Sequence, residues 1–180
     1  MGVFARTRVP SDSLPAYALA RANALTVGQD NAAPDAQIGT LFTSQSRRLL
    51  ANQGSNHVDV YAFPNSKGQV CVVYSAIYGS DGCFGAFTSD VPVSFAVTDP
   101  DEVGSGYPAV VAGLAPDTVE SISVVIDGSE HQATLQNGAY FYQLGSTESW
   151  PQGVVVHYRN GSTASVGVPA IPTIKNPDVG

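Results

Sequence analysis

Three histidines, two cysteines and one tight run of carboxylates are the groups in this 180-residue sequence whose types and spacing could do chemistry. In His57-x-Asp59, strand alternation would set two metal-ligating groups on one side, but structural zinc takes four ligands and no partner cluster follows. His131 follows Glu130 just after a turn, and His157 shares an outer strand face with Val155 and Arg159, so both read as strand-surface groups. Asp99, Asp101 and Glu102 gather three carboxylates in one turn able to offer calcium oxygen ligands, without the spacing of a dedicated calcium loop. A serine hydrolase would need a nucleophile, a base and an orienting acid, and no Gly-x-Ser-x-Gly elbow occurs. The residues therefore name no catalytic group and no cofactor.

Cys71 and Cys83 are the only cysteines, twelve positions apart around the turn-rich stretch Tyr78-Gly79-Ser80-Asp81-Gly82. That spacing favours a disulfide, which would add roughly 3 kcal/mol by closing a short loop and would imply an oxidising compartment. Two free buried thiols are the alternative, because Cys71 lies in an apolar run where a reduced cysteine packs well. Among the aromatics, alternation sends Tyr140 and Tyr142 to one side and Phe141 to the other. With Phe141 inside, Tyr140, Tyr142 and Trp150 would form an exposed platform for a carbohydrate or a protein. With the tyrosines inside, a loop would cover Phe141. Asn160-Gly161-Ser162 fits a glycosylation sequon and equally a hairpin turn, and Arg47-Arg48 fits a strand edge that discourages sheet pairing.

The elements that must position these groups are mostly strands. From Val58 the hydrophobic period is two: Val58, Val60 and Ala62 alternate with Asp59, Tyr61 and Phe63, and Val70, Val72, Tyr74 and Ala76 resume after the turn at residues 64–68. Val91, Val93, Phe95 and Val97 form a further alternating run. Asp127-Gly128, Asn137-Gly138 and Asn160-Gly161 then separate short apolar strands and supply the positive φ of tight hairpins. Upstream, Leu14, Tyr17, Ala18, Ala22 and Leu25 share one side of a helix that starts near Pro15 and stops at Gly28. Residues 29–40 read as a loop.

Charge narrows the partners. The net charge is −7, and beyond residue 60 only Lys67, Arg159 and Lys175 oppose the acids. That field repels phosphate backbones, so nucleic acid and anionic membranes are disfavoured. No stretch approaches the roughly 20 apolar residues of a membrane helix. The Met1-Gly2 start lacks the apolar core of a signal peptide and fits a scar left where an export segment was removed.

Ser46-Arg47-Arg48-Leu49, Val60-Tyr61-Ala62-Phe63-Pro64 with Gly68-Gln69-Val70-Cys71, and Gly113-Leu114-Ala115-Pro116-Asp117-Thr118-Val119 follow one another in a recognisable order. In that order the chain resembles uncharacterised exported or membrane-anchored proteins of actinobacterial type with an immunoglobulin-like ectodomain. The resemblance spans residues 44–168 in scattered short motifs, and it implies export and a cell-surface setting. The export helix of such proteins is missing from this sequence, and the family brings no catalytic residues to transfer.

The expectation is a mostly β protein: an antiparallel immunoglobulin-like β-sandwich with a short N-terminal helix and arm, a small β-barrel being the alternative. The expected division is an arm over residues 1–45, the sandwich over 46–169 and a tail over 170–180. The expected role is a non-enzymatic extracellular interaction or adhesion module whose partner is a protein or carbohydrate at the cell surface. A secreted hydrolase or carbohydrate-binding accessory domain, and a structural subunit of a surface or viral assembly, are the alternatives.

Overall fold

A computed structural model describes residues 2–5, 7–26, 38–75, 81–98, 109–146 and 148–168. After a 3-10 turn at Pro10–Asp12, helix α1 (Ala16–Ala24) forms on an alanine-rich segment with Pro15 as its N-cap. It closes at Leu25, and the stop expected at Gly28 lies outside the described residues. Among the described residues twelve antiparallel strands follow, in three sheets of four.

The first sheet is a meander of β1 (Arg47–Gln53), β2 (Val58–Pro64), β3 (Val70–Tyr74) and β4 (Gly82–Phe84). Val60, Ala62, Val72 and Tyr74 point to one side, and Tyr61, Phe63, Cys71 and Val73 to the other, as period two requires. Both sides are buried. The second group packs under Ala18 and Ala22 of α1, so the helix covers this sheet from outside. Two carboxylates fasten the covering segment. Arg21 reaches Asp81 at 2.7 Å, and the other oxygen of Asp81 accepts the Tyr74 amide at 3.0 Å. Burial pushes the Asp81 carboxyl up, opposed by the Arg21 charge. Asp12, fully buried, accepts the amides of Val9 and Arg48, each at 2.9 Å.

The remaining strands interleave. β5 (Ala96–Thr98), β6 (Val110–Leu114), β9 (Thr134–Gln136) and β10 (Ala139–Gln143) make the second sheet in the order β5-β6-β10-β9. β7 (Val119–Ile126), β8 (Ser129–Gln132), β11 (Gly153–Tyr158) and β12 (Thr163–Gly167) make the third, ordered β12-β11-β7-β8. The chain passes between these two sheets at Pro116, at Ala133 and through residues 144–152. Val110, Ala112, Leu114 and Phe141 pack toward the first sheet, while Val111 and Tyr140 pack with Ile122, Val124, Val154 and Val156 of the third. The β6–β10 pair at the centre of the second sheet is therefore an inner layer, while Thr134 and Gln136 of the edge strand β9 stay exposed.

Three sheets stand where two face-to-face sheets were expected, and none closes into a barrel. The physical reason is the strand pair β6–β10. Every residue of β6 is buried, and a continuous apolar run of that length is the signature of a strand covered on both sides. Gly113 answers to that crowding: a Cβ there would collide with the Ser94 carbonyl oxygen and the Tyr140 ring.

The turns follow their sequence signals with one variation. Asp127-Gly128 and Asn137-Gly138 have positive φ at both residues, which makes two-residue hairpins of the favoured twist. At Asn160-Gly161 only Gly161 is positive, and Tyr158 pairs with Ser162 through its amide, giving a three-residue loop instead.

Candidate ligand cleft

A concave feature is built where the first sheet meets the turn between β6 and β7. Cys71 and Cys83 are directly opposed in register and joined by a disulfide, which fixes β4 against β3 and sets Phe84 across from Val70. From Phe84 the chain leaves the sheet as Gly85-Ala86-Phe87. The facing wall is Leu114 followed by Pro116-Asp117-Thr118, a turn closed by the Val119 amide on the Pro116 carbonyl at 3.0 Å. Arg159 anchors that turn twice: its Nε donates to the Asp117 carbonyl at 3.1 Å and its amide to the Thr118 carbonyl at 3.0 Å.

Between the walls lies a cleft of about 460 Å³. Val70, Phe84, Phe87 and Pro116 give it an apolar lining above the buried Leu114, and Asp117 and Thr118 add polar residues to that lining. Apolar walls with a few polar groups favour an apolar ligand group by burial, at roughly 25 cal/mol per Å² removed from water, and let the polar groups set its orientation.

The aromatic group singled out from sequence is split by the fold. Tyr140 is core: it is fully buried between the second and third sheets, and its hydroxyl donates to the Ser94 carbonyl at 2.9 Å. It has no surface to offer a ligand, and the three-residue platform is corrected on that point. Phe141 is buried as well, toward the first sheet, because β10 lies in the inner layer. Tyr142 is half-buried and donates to Glu148 Oε1 at 2.9 Å, while Glu148 Oε2 accepts the Gly145 amide at 2.6 Å. His131 Nδ1 stands 3.6 Å from the same Glu148 Oε1 and its ring meets Tyr142 edge-on at 6.0 Å. The Gly145 amide, first, and the Tyr142 hydroxyl hold the Glu148 carboxyl below its usual range, and burial pushes Tyr142 up to about 12. Trp150 is half-buried on the same connection.

The other sequence candidates separate. His57 has a left-handed φ of 52° and stands before β2 begins, so it leaves the strand face it was expected to share with Asp59. Its ring meets Asn52 Oδ1 at 2.6 Å, whereas Asp59 accepts the Asn52 amide at 2.9 Å and the Tyr61 hydroxyl at 3.3 Å. His157 projects from β11 to Glu130 at 3.1 Å on the outer face of the third sheet. Among the described residues no group of three or more His, Cys, Asp or Glu side chains is placed to hold a metal ion. The turn of Asp99, Asp101 and Glu102 lies outside the described residues. Among the described residues, too, no helix is long and apolar enough to cross a membrane.

Sequence reasoning missed the cleft. Its walls come from Phe84–Phe87 and from residues 114–118, about thirty positions apart, and only the spare Phe-x-x-Phe after Cys83 hinted at apolar surface in need of a cover. The fold and cleft together define an antiparallel β protein of three stacked sheets with an apolar end cleft. Comparisons with known proteins found no matching family model, no matching curated protein and no matching solved structure.

Proposed function

We propose that the chain is a non-enzymatic interaction module that works outside the reducing cytoplasm and holds an apolar side chain of a protein partner in the cleft between Phe84–Phe87 and residues 114–118. The cleft carries this reading: its walls are apolar, and Asp117 and Thr118 supply polar orientation in a setting suited to burial. The acidic excess beyond residue 60, with Asp117 beside the cleft, favours a partner whose apolar anchor is flanked by lysine or arginine. The Cys71–Cys83 bridge supports the oxidising setting. An immunoglobulin-like kinship belongs to the same proposal, supported by the face-to-face antiparallel packing of the second and third sheets. The resemblance to exported actinobacterial-type proteins points the same way.

Selection of a displayed peptide library on the wild-type protein and on Ala86→Trp, which fills the exposed mouth of the cleft, tests this. Peptides joining an aromatic or aliphatic anchor to basic residues are expected to enrich on the wild type and not on the variant. Equal enrichment on both would remove the cleft from the account. An oligosaccharide retained only by the wild type would put a sugar in place of the protein partner. Labelling by a serine-reactive phosphonate that one Ser substitution abolishes would replace the module with a hydrolase.

A further inference from the structure

We infer that the outer edge of β12 is a self-association surface that pairs antiparallel with β12 of a second copy of this chain. β12 ends the third sheet, and among the described residues no strand pairs with its outer side. Its bonds to β11 fix which backbone groups that side presents. The Tyr158 amide donates to the Ser162 carbonyl at 2.9 Å and the Val168 amide to the Gln152 carbonyl at 3.1 Å, with an unbroken register between them. In an antiparallel ladder the bonded pairs alternate, so Ala164 and Val166 face β11 with their backbone groups. Thr163, Ser165 and Gly167 therefore direct both N–H and C=O away from the sheet.

The other edges are blunted and this one is not. β4, β5 and β9 are three residues each, too short to template a partner. β1 carries Arg47 and Arg48 and two register shifts, and β8 carries Glu130 and His131. Charges, bulges and shortness are the devices that keep strand edges from pairing. β12, Thr-Ala-Ser-Val-Gly, has none of them over five residues.

The occupant follows from the sequence of the edge itself. Two β12 strands related by a twofold axis at Ser165 set Thr163 opposite Gly167 and Ala164 opposite Val166, and no charge meets a like charge. The three outward-facing residues fall on bonded pairs in that register, so the ladder closes on both copies. Ala164 and Val166, partly exposed on the core side, would be covered by the same event. The surface is separate from the cleft, none of whose lining residues lies on β12, so loss of one would leave the other in place. Each copy carries −7, and added salt should strengthen the pair by screening that repulsion.

Sedimentation velocity of the full chain over a concentration series tests this, with Ser165→Pro and Ser165→Lys beside the wild type. The proline removes an outward N–H and no bond to β11, and the lysine sets two like charges across the axis. Each variant should keep the wild-type circular dichroism and weaken dimerisation by roughly tenfold or more. If only the proline variant misfolds, the lysine variant decides. A wild type that stays monomeric at every concentration overturns the proposal, including one that takes an unrelated extended peptide along β12. A dimer that both variants leave intact overturns it as well, because another surface then holds it.

Discussion

The two outer sheets solve the same problem in opposite ways. The first is apolar on both sides, with Tyr61, Phe63, Cys71 and Val73 outward, and it is covered by α1, tied by Arg21–Asp81 and stapled by Cys71–Cys83. The third packs Ile122, Val124, Val154 and Val156 inward and leaves Ser121, Val155, His157, Thr163 and Ser165 on its outer side. An outward apolar row needs a lid, and a lid needs anchors; an outward polar row needs neither. Outer-face substitutions should therefore be costly on the first sheet and cheap on the third.

The largest expected effect is Phe63→Ala, which empties a fully buried site beneath α1 and should lower stability by roughly 3–5 kcal/mol in guanidinium unfolding. A loss within the range of a surface substitution would mean that α1 is not a true cover. Next, Cys71→Ala/Cys83→Ala should cost about 3 kcal/mol by freeing the twelve-residue loop, read from the same transition. Third, Arg21→Leu strands the Asp81 carboxylate. Breaking a buried ion pair costs roughly 3–5 kcal/mol, and because these partners keep some exposure the expected loss is about 2 kcal/mol. Its pH dependence has a definite sign. Burial already raises Asp81, and removing Arg21 takes away an opposing charge, so the folded-state value climbs further above the unfolded one. The deficit is then full at neutral pH and shrinks as pH falls through that raised value, where the folded state takes up a proton ahead of the unfolded chain. Thermal unfolding at a series of pH values checks it. His157→Ala, the outer-face counterpart on the third sheet, should stay within roughly 0.5 kcal/mol. Equal losses for Arg21→Leu and His157→Ala would break the comparison.

Local structure was readable in the sequence wherever one residue type forces one geometry. Asp127-Gly128 and Asn137-Gly138 form hairpins because few other pairs accept positive φ, and Val58 to Tyr74 splits cleanly into two faces because period two is strict. The helix over Ala18 and Ala22 and the disulfide partners were readable for similar local reasons. The number of sheets was not. Alternation tells which side chains share a face, but Tyr140 and Phe141 show that both faces can be inside, and only the partners beyond each face decide that. The cleft was hidden for the same reason: Phe84 and Pro116 meet only because the first and second sheets stack.

The passage of the chain at Ala133 has a mechanical consequence. Gln132 belongs to the third sheet and Thr134 to the second, while the Ala133 amide donates across to the Ile122 carbonyl at 2.8 Å, so one extended run stitches both layers with no slack loop between them. A load that slides one layer over the other would have to break this stitch before any interface could yield. The amide at Ala133, bonded within the third sheet, should then exchange its hydrogen with solvent only when the end of β8 parts from β7.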